Sequence, residues 1–286
     1  MSNQRKHYLV VGAMGAVGRA TAQRLRELGH QVTGTARQCE LTEDGWVATL
    51  NELLILDMAD ALGVRIVLDP FFARGIDVDG VIVCTGMAPA GPLELAPLDV
   101  ARQAFEVNTL SVLAIYQSAL PALRRTEGAL VIVGSISGIM AIPFLGVYSA
   151  SKFALEGLAD VMRREAYRWG VHVAIVEPGA IRTDMTLNQL EAARRQLEAL
   201  SPAQRELYEG LFKSFTDRVQ SRLPSALEPG EVAEVIYGSL TRRDAARQAI
   251  GAGAIDAARF ARANGDDTID RQFRDSYGGS LDRDAP

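Results

Sequence analysis

The apolar and polar positions of this chain alternate between two patterns. Short runs that are apolar at almost every position are followed by longer segments whose apolar residues recur at helical spacing. Strands that are apolar throughout are typical of a parallel sheet buried by helices on both faces. The pattern therefore predicts an α/β fold with one doubly wound parallel sheet. The predicted strands are 7–11, 31–36, 52–56, 80–84, 129–134 and 171–178, and the predicted helices lie near Ala16–Leu28, Asp99–Leu120 and Tyr148–Trp169.

The C-terminal part of the chain departs from this alternation. From Asp184 to Leu223, leucine and phenylalanine recur at helical spacing in otherwise charged sequence, which predicts one or two amphipathic helices. From Asn264 to Pro286 the chain is rich in Asp, Arg and Gly, and we expect a loosely held tail. Because no repeat or flexible linker divides the chain, we expect a single domain over residues 1–286.

Composition and charge narrow the function. The 286 residues are 48% hydrophobic and carry a net charge of −5 without a basic cluster, so we expect no nucleic-acid partner. The apolar run before Gly12 is too short for a signal peptide, and no run of 18 apolar residues occurs. We therefore expect a cytoplasmic protein without a membrane partner. The two cysteines and three histidines are isolated, which predicts no metal site.

A glycine-rich turn follows the first predicted strand. Gly12, Gly15 and Gly18 form G-x-x-G-x-x-G at the point where the strand gives way to a helix. The missing side chains would let the backbone approach a pyrophosphate, and the free N–H groups and positive end of the helix would attract its charge. The turn is therefore interpreted as a dinucleotide site of a Rossmann-like fold, the alternative being a purely structural turn.

Arg37, at the end of the second predicted strand, bears on which dinucleotide binds. An acidic residue in this neighbourhood would bind the ribose diol of NAD, whereas an arginine suits the 2′-phosphate of NADP through its fork of donors. The sequence thus favours NADP(H) over NAD(H). The alternative is an ordinary solvated arginine at the start of a loop.

A serine, a tyrosine and a lysine form the candidate catalytic group. Tyr148 and Lys152 are four residues apart, so they share one face of the predicted helix. A nearby ammonium favours the phenolate, which predicts a lowered pKa and a role in proton transfer at a carbonyl oxygen. Ser135 ends an apolar strand, and its hydroxyl would reach the same carboxyl edge of the sheet and orient that carbonyl.

Taken in order, these residues resemble the motifs of the short-chain dehydrogenase/reductase family. The resemblance extends over about residues 7–186, and segment 143–158 is similar to the 17β-hydroxysteroid and retinol dehydrogenase group of that family. The matching motifs are the cofactor turn, a helix asparagine, the catalytic serine, Y-x-x-x-K and PG-x-x-x-T. They lie at Gly12–Gly18, Asn108, Ser135, Tyr148–Lys152 and Pro178–Thr183.

The resemblance implies a role for each matching residue. Tyr148 would be the general acid in reduction and the general base in oxidation, with hydride passing between nicotinamide and substrate. Lys152 would lower the pKa of Tyr148 and hold the nicotinamide ribose. Ser135 would bind the substrate oxygen, and Asn108 would help to support a proton-relay water. Further cofactor contacts are implied for Gly12, Met14, Gly15, Ala16, Val17, Gly18, Asp57, Cys84, Thr85, Gly86, Pro178, Gly179, Ile181 and Thr183.

Three of these positions also have a purely structural interpretation. Asn108 would then be a helix asparagine bonded to the backbone. Asp57 would be the N-cap of a helix that begins near Met58. Pro178 and Gly179 would simply end a strand.

Two features depart from the family's pattern. Residues 83–86 read V-C-T-G where the family has N-N-A-G, which puts in doubt the asparagine bracing of the sheet. The glycine spacing matches the extended branch, some of whose members are epimerases or dehydratases. An NAD(P)-dependent isomerase or lyase is therefore one alternative, and a protein that senses the dinucleotide without turnover is another.

The expected substrate follows from the amphipathic segment. In the family, the residues after the PG turn cover the substrate, and the leucines and phenylalanines of 184–223 favour a lipophilic ketone or alcohol. The alternative is that these helices cover their own core or form a subunit contact. The resemblance also implies a homodimer or homotetramer, although the sequence identifies no interface.

Overall fold

In the part of the chain that the structure describes, seven parallel strands form one central sheet. The computed structural model describes residues 5–40, 45–243 and 245–276. The strand order is β3-β2-β1-β4-β5-β6-β7, and every neighbouring pair is parallel. The first six strands confirm the predicted ones, and β7 is additional. The strands are β1 His7–Val11, β2 Gln31–Ala36, β3 Glu52–Ile55, β4 Gly80–Val83, β5 Ala129–Val133, β6 His172–Pro178 and β7 Arg247–Ile250.

Helices cover both faces of the sheet, which confirms the predicted fold class. On β1, Leu9 and Val11 face a core shared with α2, α4 and α5, whereas Tyr8 and Val10 face a core shared with α1 and α8. The helices are α1 Ala16–Glu27, α2 Ala61–Ala73, α3 Leu98–Phe105, α4 Ser111–Thr126, α5 Gly146–Ala166, α6 Asp184–Glu198, α7 Pro202–Arg222, α8 Pro229–Arg242, α9 Ala252–Ala263 and α10 Asp266–Ser276.

Two predicted helical regions differ in detail from the structure. The helix predicted near Asp99–Leu120 is α3 and α4 joined by a π-helical turn at Glu106–Leu110. The segment predicted as a loosely held tail contains α10, on which Ile269 and Phe273 are half-buried one helical turn apart. The rest of that segment, residues 277–286, lies outside the described residues.

The strand order determines where a ligand can bind. Chain connections run from β1 toward β3 on one side and from β4 toward β7 on the other, so the order reverses between β1 and β4. Ligands of doubly wound sheets bind at the carboxyl ends of the strands beside such a reversal. Gly12 and Cys84 follow β1 and β4 at this point, and Ser135 lies near the end of β5. Within the described ranges, none of the helices has the length and apolar character to span a membrane.

Candidate active site

The glycine turn brings backbone together more closely than side chains would allow. Gly12 has a φ of +84°, and a Cβ there would lie 2.6 Å from Cγ2 of Thr85. A Cβ on Gly18 would lie 2.1 Å from the Gly12 carbonyl oxygen, so the start of α1 sits directly against the turn. Gly15 is different, because a Cβ there would meet only that same oxygen, at 3.5 Å.

Two observations show that this turn fits a dinucleotide. Gly15 is the N-cap of α1 and brings no side chain to the helix end, so the exposed turn presents N–H groups and the positive end of the helix dipole. Beside it, the buried hydroxyl of Thr85 has no hydrogen-bond partner among the described residues. A buried polar group without a partner is costly unless a ligand or water satisfies it. Thr85 and the turn thus offer hydrogen-bonding groups to a pyrophosphate.

The end of β2 and the loop that follows it are hydrogen-bonded to the glycine turn. The Thr35 hydroxyl accepts a hydrogen bond from the Gly12 N–H at 3.0 Å, and the Thr35 carbonyl accepts one from the Ala13 N–H at 2.9 Å. The Trp46 indole N–H donates to the Ala13 carbonyl at 3.0 Å, and the Arg19 guanidinium lies 4.9 Å from the Trp46 ring centroid. No sequence signal indicated Trp46, because its role depends on contacts with distant residues.

Ser135 and Tyr148 meet at the carboxyl edge of the sheet. Ser135 follows β5 and caps a 3₁₀ turn, its Oγ accepting from the Ser137 N–H at 3.1 Å. Tyr148 lies in the first turn of α5, close enough to Ser135 for the serine side chain to affect the pKa of the phenol. Burial raises the pKa of Tyr148, and the Ser135 side chain opposes that rise. The arrangement places two hydroxyls where one substrate oxygen could contact both.

Lys152 lies one turn further along α5 and is only 4% exposed. Its Nζ donates to the Val133 carbonyl at 3.0 Å and lies 5.9 Å from the Tyr148 ring centroid. Burial lowers the pKa of Lys152 to about 8, against the opposing effect of Glu156. The sequence predicted a lowered pKa for Tyr148, and in the structure described the net shift is in the opposite direction. Loss of solvation raises the pKa of the phenol, and the ammonium is bonded to a carbonyl rather than to the phenolic oxygen.

Asn108 occupies the π-helical turn between α3 and α4. Its Nδ2 donates to the Met87 carbonyl at 2.8 Å and to Ser151 Oγ at 2.9 Å, and its Oδ1 accepts from the Met87 N–H at 2.9 Å. The Asn108 side chain is therefore bonded to the backbone, as its purely structural interpretation predicted. It still lies beside the candidate site, since a Cβ on Gly86 would be 3.3 Å from Asn108 Oδ1 and 3.7 Å from Lys152 Nζ.

The remaining predicted cofactor residues lie around the same edge. Cys84 follows β4, and burial raises the pKa of its thiol to about 12. The thiol is therefore protonated at neutral pH. Ile181 pairs with Leu227 in an isolated parallel bridge. Thr183 is the N-cap of α6, its Oγ1 accepting from the Thr186 N–H at 3.3 Å. Pro178 ends β6, as its structural interpretation requires.

Asp57 does not cap a helix. It is exposed and accepts a hydrogen bond from the Ala59 N–H at 2.9 Å. The N-cap of α2 is Asp60, whose side chain accepts from the Gly63 N–H. The structural interpretation of Asp57 as an N-cap is therefore wrong, and its contact with adenine stays a prediction.

An aromatic cluster joins α7 to the loop before α5. The Phe144 ring centroid lies 5.2 Å from that of Phe212 and 5.8 Å from that of Phe215, and Tyr148 packs against the same cluster. Phe144 has a φ of +66°, a backbone conformation that residues other than glycine rarely adopt. On α6, Gln189 Nε2 donates to the Ala88 carbonyl at 2.9 Å. The two helices of segment 184–223 therefore cover the side of the site where Tyr148 lies.

A partly buried ion-pair network lies next to Lys152 on α5. Arg247 of β7 contacts Glu156 of α5 at 2.9 Å, Asp160 at 2.7 Å and Glu177 of β6 at 3.6 Å. Arg262 of α9 contacts Glu177 at 3.3 Å. Glu177 is fully buried, and its burial raises its pKa to about 7. The sequence did not indicate this network, because its members come from four separate elements.

Comparison with known proteins identifies the family. A family model described as short chain dehydrogenase matches residues 6–194. This chain belongs to the short-chain dehydrogenase family. The matched region contains the glycine turn and the Ser135, Tyr148 and Lys152 group. The predictions of this family and of an enzyme of its oxidoreductase class are confirmed.

Relatives within the short-chain dehydrogenase family are named reductases and dehydrogenases. The chain is 33% identical over 182 residues to 3-ketodihydrosphingosine reductase of Bacteroides thetaiotaomicron, covering 63% of this chain and 66% of that one. It is 32% identical over 215 residues to 3-amino-tetrahydro-pyrrolizinone reductase of Xenorhabdus hominickii, covering 74% of each. It is 31% identical over 191 residues to 17-beta-hydroxysteroid dehydrogenase type 1 of Homo sapiens, covering 66% and 56%. The chain thus spans slightly less than two thirds of the Bacteroides relative and about half of the human one.

Solved short-chain dehydrogenase structures share the fold over almost the full chain. A short-chain dehydrogenase from Streptomyces avermitilis has a TM-score of 0.75 at 25% identity, covering 99% of this chain and 100% of that one. A short chain dehydrogenase from Burkholderia cenocepacia in complex with NADP has a TM-score of 0.74 at 23% identity, covering 96% and 99%.

Proposed function

We propose that this protein is an NADP-dependent oxidoreductase that interconverts a carbonyl group and a secondary alcohol on a lipophilic substrate. The observation that carries the proposal is the group of Ser135, Tyr148 and Lys152 beside the glycine turn. Two hydroxyls and an ammonium, all largely withdrawn from solvent, lie at the sheet edge where the family binds its dinucleotide.

The chain's own residues supply the proton transfer. When bound, the nicotinamide cofactor supplies or accepts the hydride. In reduction, the Tyr148 hydroxyl gives its proton to the carbonyl oxygen as that oxygen gains charge, and the Ser135 hydroxyl donates a hydrogen bond to the same oxygen. Lys152, in its protonated form, stabilises the phenolate that Tyr148 becomes. Because its pKa is about 8, this stabilisation is present at neutral pH and declines above pH 8.

The preference for NADP rests on Arg37. Its side chain is 55% exposed directly after β2, where the second ribose of a dinucleotide lies in Rossmann-like folds. A fixed fork of donors suits a phosphate better than a diol. The Burkholderia relative of the same fold, which was solved with NADP, is in keeping with this assignment.

The preference for a lipophilic substrate rests on the aromatic cluster. The buried Phe212 and Phe215 pack against the partly exposed Phe144, which lies in the same cluster as Tyr148, so a substrate that reaches the tyrosine meets an apolar side chain. Apolar walls with a few fixed polar groups are typical of sites for lipophilic ligands. The human relative named for a hydroxysteroid is in keeping with such a substrate.

Replacement of Tyr148 tests the proposal. We expect Tyr148→Phe to lower the turnover of a lipophilic ketone by at least about 100-fold, because the general acid is lost while apolar packing remains. NADPH affinity should change by less than about twofold, as measured by fluorescence titration. The matched control is Tyr167→Phe, since Tyr167 lies just beyond α5 and is 83% exposed. Retention of more than a few percent of activity in Tyr148→Phe would remove this residue from the proton transfer.

The stoichiometry of the same assay separates the proposed reaction from its alternatives. An oxidoreductase of this kind consumes one NADPH for each alcohol formed. An isomerase or lyase would convert its substrate without net consumption of NADPH, and a sensing protein would bind NADPH without turning over any ketone in a panel of graded size.

A further inference from the structure

A carboxylate of this chain occupies the donors that Arg37 would offer to a phosphate. Glu40 lies three residues after Arg37, at the end of a 3₁₀ turn. Its Oε2 accepts from the Arg37 backbone N–H at 2.8 Å, and its Oε1 accepts from Arg37 Nε at 2.9 Å and Nη2 at 2.8 Å. One carboxylate thus receives three donors of a single residue, and the pairing raises the pKa of Arg37.

The geometry describes a small anion site next to the cofactor turn. A backbone N–H and one edge of a guanidinium converge on the same two oxygens, which is how proteins hold carboxylates and phosphates. The site lies two residues after Thr35, whose hydroxyl and carbonyl are bonded to Gly12 and Ala13 of the turn. An anion attached to the adenosine ribose of a bound dinucleotide would therefore approach this region of the chain.

We propose that Glu40 competes internally with the 2′-phosphate of NADPH for Arg37, and so sets how strongly the protein distinguishes NADPH from NADH. This inference rests on the proposed NADP-dependent function. A phosphate monoester has nearly two negative charges and three acceptor oxygens, so it can displace a carboxylate. The carboxylate is nonetheless an effective competitor, because its attachment three residues away keeps its local concentration high. NADH lacks the phosphate and leaves the Arg37–Glu40 pair intact.

The size of the effect follows from the exposure of the pair. Arg37 is 55% exposed and Glu40 is 31% exposed, so their interaction is partly screened by solvent. Exposed pairs of this kind correspond to changes of about two- to fivefold in an equilibrium constant. Removal of the carboxylate also removes its repulsion of the incoming phosphate, so we expect a gain in NADPH affinity of about two- to tenfold.

The experiment compares cofactor affinities in charge-matched variants. Dissociation constants for NADPH and NADH are measured by fluorescence titration on the full chain for the wild type, Glu40→Gln and Glu27→Gln. Glu27 is the matched control, because it is exposed at the far end of α1 and its replacement removes the same charge. We expect Glu40→Gln to bind NADPH about two- to tenfold more tightly with little change for NADH, and Glu27→Gln to change neither.

A second pair of variants tests whether Glu40 acts through Arg37. In an Arg37→Gln background, adding Glu40→Gln should give a smaller gain in NADPH affinity than it gives in the wild type. The inference is overturned if Glu40→Gln leaves NADPH affinity unchanged or weakens it. It is also overturned if Glu40→Gln mainly weakens NADH, because Glu40 would then be an acceptor for the ribose diol.

These outcomes are separate from a failure of the proposed function. The affinities are measured without turnover, so the absence of ketone reduction would remove the proposed reaction but leave the comparison of affinities valid. If the wild type binds neither NADPH nor NADH, the proposed function and this inference both fail. Circular dichroism of Glu40→Gln, together with the second variant Glu40→Ala, separates a change in affinity from a loss of folding.

Discussion

Gly15 and Gly18 are three residues apart in one turn, yet they do different things. Gly18 allows backbone to lie against backbone, since a Cβ there would be 2.1 Å from the Gly12 carbonyl oxygen. Gly15 is exposed, and a Cβ there would meet the protein only at ordinary contact distance, 3.5 Å. Glycine is therefore required by the packing of the turn at Gly18, whereas at Gly15 we expect it to leave room for a ligand.

This difference predicts opposite outcomes for two alanine substitutions. We expect Gly18→Ala to lower the thermal midpoint by several degrees, because the turn must open to admit the methyl group. Gly15→Ala should keep a thermal midpoint close to that of the wild type but bind NADPH more weakly, because its methyl group stands in the path of the pyrophosphate. Differential scanning fluorimetry with and without NADPH measures both effects. Equal thermal midpoints for the two variants would contradict this division of roles.

At the scale of secondary-structure elements, α7 packs against the rest of the protein through a buried aromatic face. Phe212 is fully buried and stacks on Phe144, whereas Leu207 on the same helix is 66% exposed. The helix begins with a capping box at Ser201 and Gln204, which defines its start independently of this packing. We therefore expect the packing of α7 against the site to depend on this buried face more than on its exposed face.

Two alanine substitutions on α7 test whether its packing depends on the buried face. We expect Phe212→Ala to lower the free energy of unfolding by about 3–5 kcal/mol, the usual cost of removing a buried phenylalanine. Leu207→Ala should change it by less than about 0.5 kcal/mol, because an exposed leucine makes few contacts. Urea denaturation of both variants measures the difference. Similar losses for the two would mean that α7 is not seated as described.

The elements that the sequence predicted are those with a strong local pattern. The six predicted strands are apolar along their length, and α5 contains the Y-x-x-x-K spacing. Strand β7 was missed because it begins with Arg247 and Gln248, whose polar groups are satisfied by Glu156 and by Ser239. Such polar positions look like surface until their distant partners are known.

The candidate site was predictable to a similar extent and for the same reason. Tyr148, Lys152 and Ser135 belong to motifs that can be read locally, and the structure brings them together. Trp46 and Phe144 contribute through contacts with residues remote in sequence. The direction of the pKa of Tyr148 also needed the structure, because burial outweighs the effect expected from the nearby ammonium.

At the scale of the whole molecule, the ion-pair network joins the C-terminal elements to α5, the helix of Tyr148 and Lys152. Arg247 and Arg262 reach Glu177, which immediately precedes the Pro178 and Gly179 of the candidate cofactor segment. Burial raises the pKa of Glu177 from 4.5 to about 7. Between these two values the folded protein retains a proton that the unfolded chain has lost, so this residue's contribution to stability decreases as the pH rises from about 4.5 to 7.

The pH dependence of stability should therefore change when Glu177 is replaced. We expect the wild type to lose stability relative to Glu177→Gln as the pH rises from 5 to 8, because the glutamine does not ionise. Urea midpoints of both proteins at these two pH values measure the change. The exposed Glu206→Gln serves as control and should track the wild type. Parallel pH profiles for Glu177→Gln and the wild type would show that Glu177 does not titrate in this range.

The π-helical turn at 106–110 accommodates more chain than an α-helix would over the same rise. A chain shortened by one residue there could continue from α3 into α4 as an unbroken α-helix, keeping Ile115 and Leu123 in the core. The Asn108 amide would then swing away from Met87, leaving the loop after β4 without its anchor. The number of residues in this turn is therefore constrained by the position of the Asn108 amide and not by the packing of α3 and α4.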